Sequence, residues 1–421
     1  MKFDKSRTFR ETHYSPNKKG GAMAFCAMVS VIALPSTLRF ALDASSGISG
    51  LLSACLFVIG AGVFGFYRIN GGRYLNVTLA AIILFTFTVV LQGTIASLTV
   101  SGDLLRGISS LGAVGIVIVT AYLIRTILIQ TPSAALDRVI TIISSGFVFI
   151  AIVAIAGVQP IQSDYVKPVF PFAEPSHFAL SFTPFLIYQC VRSSLPMRIG
   201  WLVIALAIAV LLESLSLVVA VGVAAACCLP PAILGAGLVA VSAVAGYLDI
   251  SYYTDRLDFS SNTTNISTLV YIQGYELTQA ALERTGGWGI GFQQLGIVPL
   301  NVPTSDLIYR LIQDDANLRD GGLTAAKLIA ELGIFGIALV ATYLYLAIRA
   351  GLGLRALANG KRRGTAHELF ALAVITAPLI EVFVRGIGYF SGTLLLMMAG
   401  LLMASEGQYL ARRRPAAKDA P

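Results

Sequence analysis

The sequence contains little charge for its length. Asp, Glu, Lys and Arg make up only 12% of its 421 residues, whereas they make up about 25% of a typical soluble protein. Hydrophobic residues make up 56% of the chain, and the mean hydropathy is +0.79. The apolar residues also form blocks of about 20, the length that crosses a hydrocarbon core. This composition excludes a soluble enzyme, and the number of blocks excludes a single-span receptor.

Residues that bind metals or form disulfides are also scarce. The chain has three histidines and five cysteines, and no two cysteines have CxxC spacing. A disulfide framework and a zinc site are therefore not supported. The predicted outer loops contain no carboxylate pair or histidine cluster at ligand spacing, so we expect neither a metal ion nor another cofactor.

The apolar blocks predict an all-α polytopic membrane protein of about twelve transmembrane helices. Nine spans fall within residues 22–249 and three within 325–406, separated by a long polar loop at 250–324. The predicted spans cover residues 22–40, 48–67, 75–94, 104–129, 138–158, 178–191, 199–213, 215–229, 231–249, 325–347, 368–385 and 388–406.

Basic residues predict the orientation of these spans. With both tails (1–21 and 407–421) in the cytoplasm, 21 of the 30 Lys and Arg residues lie on the inner side, as the positive-inside rule requires. The net charge of +8 is therefore a topology signal and does not indicate nucleic-acid binding. A carboxylate at mid-membrane depth would cost about 2.5–3.5 kcal/mol. We therefore predict a tight turn at Glu213 and Ser214.

The long loop 250–324 is expected to lie on the outer side of the membrane and to contain two helices. The first is predicted over 266–284 and the second, which is amphipathic, over about 304–318. Between them, Gly286–Gly291 lacks the preceding strand and following helix of a nucleotide-binding fingerprint. We interpret it as a tight turn in which one backbone approaches another.

The loop before the sixth span contains two candidate catalytic residues, Glu174 and His177. Glu174 is a candidate general base whose pKa partial burial would raise. His177 could pair with Glu174, or it could orient the substrate group that loses a proton to Glu174. The alternative is helix capping, because Ser176 is a good N-cap residue and an acid suits the helix dipole.

Basic residues on the outer side form a candidate diphosphate site, because arginine forks match phosphate oxygens. The alternative is that each is a solvated loop charge paired with a nearby acid. We predict that Arg310 makes the main contact. The other candidates are Arg284, Arg319, Arg385 and Lys327.

Three strings in this chain resemble the bacterial O-antigen polymerase family, a sister family of the O-antigen ligases. They are Glu174–Ala179, Gly286–Phe292 and Asp320–Gly333. Some family members carry an arginine and a glycine eleven residues apart in two outer loops. Arg310 and Gly321 match this pattern once, and the earlier outer loop has no such pair.

The resemblance implies a lipid-linked-sugar (GT-C-like) glycosyltransferase of the bacterial inner membrane that needs no metal. Its donor and acceptor would be oligosaccharides on undecaprenyl diphosphate, and its partners a chain-length regulator and a flippase of the same pathway. Two alternatives remain open: an O-antigen ligase that transfers glycan to lipid A-core, and a polysaccharide or lipid transporter or flippase.

Overall fold

A computed structural model describes residues 20–42, 47–64, 73–160, 167–245, 251–260, 263–313, 321–362 and 364–412. In this part of the chain the secondary structure is helical, apart from two isolated β-bridges. The helices are α1 (Gly20–Leu42), α2 (Gly47–Phe64), α3 (Arg73–Thr99), α4 (Leu104–Gln130), α5 (Ser133–Ile155), α6 (Pro175–Arg192), α7 (Leu195–Leu211), α8 (Leu215–Cys228), α9 (Pro231–Ala245), α10 (Ser251–Arg256), α11 (Ile266–Thr285), α12 (Pro303–Ile312), α13 (Thr324–Leu332), α14 (Ile334–Ala358), α15 (Ala366–Thr376), α16 (Leu379–Phe383) and α17 (Gly392–Arg412).

The prediction of an all-α membrane protein is confirmed at this level. Six stretches among the described residues are long and apolar enough to cross a membrane. These are Gly20–Leu38, Ile82–Thr99, Leu104–Gln130, Ser133–Ile155, Ile334–Ala358 and Ala366–Phe383. Each of the twelve predicted spans overlaps a helix, but several of these, such as α7 and α8, are shorter apolar helices, so twelve spans stay a prediction.

The predicted turn between the seventh and eighth spans is confirmed. Helix α7 ends at Leu211 and α8 begins at Leu215. Glu213 adopts a positive φ of 50°, and the Ser214 hydroxyl accepts a hydrogen bond from the Leu217 N–H as the N-cap of α8. The chain therefore reverses here, and the Glu213 carboxylate lies at the end of both helices rather than halfway along one.

Two predicted spans are interrupted, and one predicted loop helix is shorter than expected. The span 325–347 divides into α13 and α14 at Gly333, whose φ of 58° departs from helical geometry. The span 368–385 divides into α15 and α16 beside Pro378. Helix α12 ends at Ile312 because Gln313 takes a left-handed conformation, so the predicted helix at 304–318 is too long. The helix predicted over 266–284 is confirmed as α11.

The core is centred on α6, which packs against α5, α8 and α15. An aromatic cluster joins α5 and α6 to the preceding loop. The Phe147 ring lies 5.4–6.0 Å, centroid to centroid, from the rings of Phe172, Phe178, Phe182 and Phe185. Such ring pairs stabilise a core beyond the area that they bury. The loop before α6 is thereby fixed to the helices beneath it.

The glycine-rich turn after α11 packs directly on α13, so the predicted close approach of one backbone to another is confirmed. The N–H groups of Ile290 and Gly291 donate hydrogen bonds to the carbonyls of Ala330 (3.0 Å) and Glu331 (2.9 Å). Gly291 has a φ of 104°, and a Cβ there would lie 2.6 Å from the Gly93 carbonyl oxygen. Only glycine satisfies both demands.

Candidate functional site

The first element of the site is the loop that presents Glu174 at the beginning of α6. Backbone hydrogen bonds in both directions between Val169 and Phe172 (2.9 and 2.7 Å) close a small turn. Phe172 is buried, and Pro175 begins the helix at a position where its missing N–H costs nothing. These contacts fix the backbone of Glu174, whose side chain is 45% exposed.

Glu174 occupies the N-cap position, but its side chain does not cap the helix. Its carboxylate accepts a hydrogen bond from the Ser176 hydroxyl at 2.8 Å and forms an ion pair with Arg385 at 3.2 Å. Ser176 lies in the first turn of α6 rather than at its N-cap, so it does not cap the helix as the alternative interpretation required. The structure thus directs both side chains away from the capping role that the sequence left open.

The electrostatic environment lowers the pKa of Glu174 instead of raising it. Burial favours the neutral acid, but the charges of Arg385 and His177 and the Ser176 hydroxyl together outweigh it and bring the pKa to about 2. The increase in this pKa that we expected from the sequence took only the burial of Glu174 into account. His177 is half-buried in the first turn of α6, close enough for its charge to act on Glu174.

Arg385 is held by the segment that follows α16. Its N–H donates to the Ile380 carbonyl at 2.9 Å, and the next N–H, of Gly386, donates to the Gly322 carbonyl at 2.9 Å. The segment is therefore fastened both to its own helix and to the turn that precedes α13. Two parts of the chain 211 residues apart meet in this way at one ion pair.

Lys327 lies in a buried network beside this segment rather than at an open surface. Glu331 accepts hydrogen bonds from the Tyr389 hydroxyl (2.7 Å) and from the N–H groups of Gln293 (2.8 Å) and Leu295 (3.0 Å). The Lys327 ammonium lies 5.4 Å from the centre of the Tyr389 ring. Glu331 is fully buried, and Lys327 is almost fully buried beside it. The network holds the glycine-rich turn, α13 and the Arg385 segment together.

Sequence reasoning assigned no role to a second group of charged and aromatic residues at the same end of the helices. Lys167 forms an ion pair with Glu213. The Tyr252 ring lies beneath the guanidinium of Arg256 at 4.4 Å and near the Lys167 ammonium at 5.6 Å. The Tyr253 hydroxyl donates to the carbonyl of Ala209 near the end of α7 (3.1 Å). No local pattern could have placed these residues together, because three separate segments contribute them.

Unlike Arg385, the remaining basic residues that we predicted to contact a diphosphate form no ion pair with Glu174 where the structure describes them. Arg284 is exposed, and its guanidinium donates to the Pro299 carbonyl at 2.8 Å. Arg310 is exposed in the last turn of α12, and its side chain contacts no described acid. Arg319 lies outside the described residues. Of the predicted set, the structure brings together Glu174, His177 and Arg385.

A groove of 640 Å³ lies between α3 and the glycine-rich turn. Leu91 and Ile95 of α3, Trp288 of the turn and Phe335 of α14 give it an apolar lining. Of the described residues that line it, Arg284 alone is charged. The described residues contain no group of three or more His, Cys, Asp and Glu side chains that could hold a metal ion.

No family model, curated protein or solved structure matches the chain. The resemblance to the O-antigen polymerases therefore depends on the three sequence strings. The structure adds that residues of all three strings contribute to the site or to the network beside it, through Glu174, Phe292 and Glu331. The Phe292 ring stacks on Tyr389 with centroids 5.3 Å apart.

Proposed function

We propose that the protein is a polysaccharide polymerase that joins repeat units carried on undecaprenyl diphosphate. An acceptor hydroxyl oxygen attacks the anomeric carbon of the donor glycan, and a new glycosidic bond forms. The bond from that carbon to the diphosphate oxygen breaks, and undecaprenyl diphosphate leaves with its electron pair. The hydroxyl proton passes to a base, and no cofactor is required.

The observation that carries the proposal is the meeting of Glu174 and Arg385 at a half-exposed position. The reaction needs a group that is unprotonated at neutral pH and a cation that stabilises charge developing on a diphosphate. A carboxylate and a guanidinium 3.2 Å apart supply both. His177, beside Glu174, is available to position the acceptor.

The low pKa of Glu174 fits this reaction if Arg385 also binds the donor. A carboxylate with a pKa of about 2 is ionised but weakly basic. A diphosphate that engages Arg385 would compensate the guanidinium charge that now depresses this pKa. Glu174 would then become a stronger base only when the donor is bound.

The groove between α3 and the glycine-rich turn suits the lipid part of such a substrate. Its volume of 640 Å³ lies within the usual range of ligand pockets, about 300–1,000 Å³. Its largely apolar lining matches a polyprenyl chain. In the proposed topology both termini are cytoplasmic and the site opens at the periplasmic face of the bacterial inner membrane. A flippase would supply the substrate there, and a chain-length regulator would limit the product.

The direct test is polymerisation by the purified full-length protein in liposomes that contain lipid-linked repeat units. The proposal requires a ladder of longer glycans and one undecaprenyl diphosphate released for each bond formed. Glu174→Gln at equal protein level is the matched control. Transfer only to added lipid A-core would identify a ligase, and the absence of any transfer would contradict both activities.

One observation favours a transporter as the second candidate. Glu381 is fully buried at the end of the apolar stretch Ala366–Phe383. The hydroxyls of Ser391 and Thr393 lie near it, but neither carboxylate oxygen forms a hydrogen bond with a described residue. Ionisable groups inside a membrane are common in transport pathways. Movement of a fluorescent lipid-linked sugar across the same liposomes, lost in Glu381→Gln, would support this alternative.

A further inference from the structure

Helix α10 places a third cation at the same end of the helices as Glu174. Its Tyr253 hydroxyl binds the Ala209 carbonyl of α7 at 3.1 Å. At its other end, the Arg256 carbonyl accepts a hydrogen bond from the Thr268 hydroxyl of α11 at 2.9 Å. The short helix therefore spans from α7 to α11 with both ends fastened. The Arg256 guanidinium lies on the Tyr252 ring, 4.4 Å from its centre.

The surrounding charges leave this guanidinium without a protein acceptor among the described residues. Lys167 is paired with Glu213, and Arg385 is paired with Glu174. The side chain of Arg256 has no ion pair or hydrogen bond with a described residue, and its guanidinium lies over the Tyr252 ring. A guanidinium carries five N–H donors in a rigid fork. These donors are available to a ligand, and the ring already restricts their orientation.

Arg256 and Glu174 belong to one electrostatic environment. The pKa of Tyr252 is raised first by burial and further by the negative charges of Glu213 and Glu174, against the effect of Arg256. The Tyr252 ring therefore lies within range of both carboxylates while it supports Arg256. Glu174, the ion-pair partner of Arg385, therefore acts on the same ring that supports Arg256.

We propose that Arg256 is an anion-binding residue of this site that contacts a phosphate oxygen of the substrate, and that Tyr252 positions it. A planar guanidinium binds a phosphate through two parallel hydrogen bonds, and stacking on an aromatic ring leaves its edge available for them. That the phosphate belongs to a lipid-linked donor rests on the proposed function. The anion chemistry rests on Arg256 and its surroundings alone.

The experiment measures binding of undecaprenyl diphosphate in detergent, and separately of inorganic pyrophosphate, to the purified full-length protein. Arg256→Gln should weaken binding by about tenfold or more, since it removes charge-assisted hydrogen bonds. Arg256→Lys should recover only part of the affinity, because a point charge does not replace a fork. Tyr252→Phe keeps the ring and should bind normally, whereas Tyr252→Leu should bind more weakly.

Arg349 provides a matched control, because it also stacks on a tyrosine, Tyr345, at 5.7 Å. Arg349→Gln should leave binding unchanged. If Arg256→Gln does not fold, the comparison of Arg256→Lys with the wild type decides the question.

The possible outcomes separate this inference from the proposed function. Equal affinity of wild type and Arg256 variants for undecaprenyl diphosphate would overturn the role of Arg256 and leave the polymerase intact. Pyrophosphate binding that requires Arg256, without any binding of undecaprenyl diphosphate, would support the anion site and overturn the polymerase. Competition by phosphatidylglycerol vesicles as effective as that by undecaprenyl diphosphate would mean a general lipid-headgroup contact and would overturn the substrate role. Binding of neither compound by the wild type would overturn both proposals.

Discussion

Glu174 illustrates how one distant residue changes the chemistry of another. Burial alone would raise the pKa of Glu174 and favour the neutral acid. The charge of Arg385 opposes burial most strongly, and the pKa falls to about 2. A base that is suppressed by its own partner is useful when the partner is also needed by the substrate. In the proposed reaction, the ion pair connects donor binding to proton removal through a single guanidinium.

The Glu174→Gln substitution separates a catalytic role from a structural one. The glutamine keeps the shape of the side chain and can still accept from Ser176, so the protein should fold at normal abundance. Loss of the base should reduce polymerisation by at least about a hundredfold. The measurement is the rate of repeat-unit addition at matched protein level, and near-normal activity would return Glu174 to a structural role.

Arg385 and Arg310 should differ sharply when each is replaced by alanine. Arg385→Ala should reduce the rate by about a hundredfold or more, because it removes a charge-assisted contact to the leaving group. It should also move the acid limb of the pH–rate profile to higher pH, since Arg385 lowers the pKa of Glu174. Arg310→Ala should change the rate by less than about fivefold, as for other exposed charges. A larger loss from Arg310→Ala would restore it as the main diphosphate contact.

The Glu174 pKa also predicts how acid affects stability. Because folding lowers this pKa from 4.5 to about 2, the carboxylate stabilises the fold above pH 4.5, and this contribution is lost as the pH falls towards 2. The wild type should therefore lose more thermal stability than Glu174→Gln over this interval. Melting temperatures of the two proteins in one detergent give the comparison. The difference should be small, since the side chain is 45% exposed, and parallel curves would contradict the ion pair.

At the residue scale, the sequence predicted which loop carries the site but not how its members combine. Glu174 and His177 could be selected because an acid and a histidine precede an apolar helix. Arg385 was one of five basic candidates, and nothing local distinguished it from Arg310. Tyr252 and Arg256 could not be assigned, because their position depends on how α10 packs against α7 and α11.

Among the elements, α13 shows why hydropathy alone misplaces a helix. Residues 325–347 are apolar enough for one span, but Lys327 and Glu331 are buried in a polar network and the helix ends at Leu332. The glycine-rich turn inserts at this break, where the Ile334 N–H donates to the Gly287 carbonyl at 3.0 Å. Tertiary contact with a distant loop, rather than local preference, sets the boundary.

This packing predicts the effect of two glycine substitutions in the turn. Gly289 has a φ of 82°, and a Cβ there would lie 2.5 Å from the Glu331 carbonyl oxygen. Gly286 has a φ of 59° but would meet no atom within 4 Å. Gly286→Ala should cost about 1 kcal/mol from backbone strain alone. Gly289→Ala should cost more, because it also forces the turn away from α13. Equal losses of unfolding free energy in detergent would contradict the close approach.

For the whole molecule, the number and orientation of spans follow from different evidence. Six stretches are long and apolar enough to cross a membrane by themselves. Shorter helices such as α7 and α8 would have to cross as packed members of the bundle. The distribution of basic residues gives an orientation, but that inference depends on the reversal at Glu213, because every later segment would otherwise change sides. The structure confirms the reversal.

The two ends of α7 provide a test of this orientation. Near its beginning, the Arg198 guanidinium donates to the Ala358 carbonyl at 2.6 Å, and near its end the Ala209 carbonyl accepts from Tyr253. A helix of 17 residues is about 25 Å long at 1.5 Å per residue. Ala358 and Tyr253 should therefore lie on opposite sides of the membrane, with Tyr253 in the periplasm.

Cysteine labelling can examine the two sides directly. Among the described residues Cys26 is the exposed cysteine, so Cys26→Ala supplies the background. Ser260 and Asn359 are exposed, just beyond α10 and α14 respectively. In intact spheroplasts a membrane-impermeant maleimide should label Ser260→Cys at once, and should label Asn359→Cys only after permeabilisation. The reverse pattern would invert the whole molecule and place the Glu174 site in the cytoplasm. Labelling of both before permeabilisation would mean that α7 does not cross the membrane, because its two ends would then face the same solution.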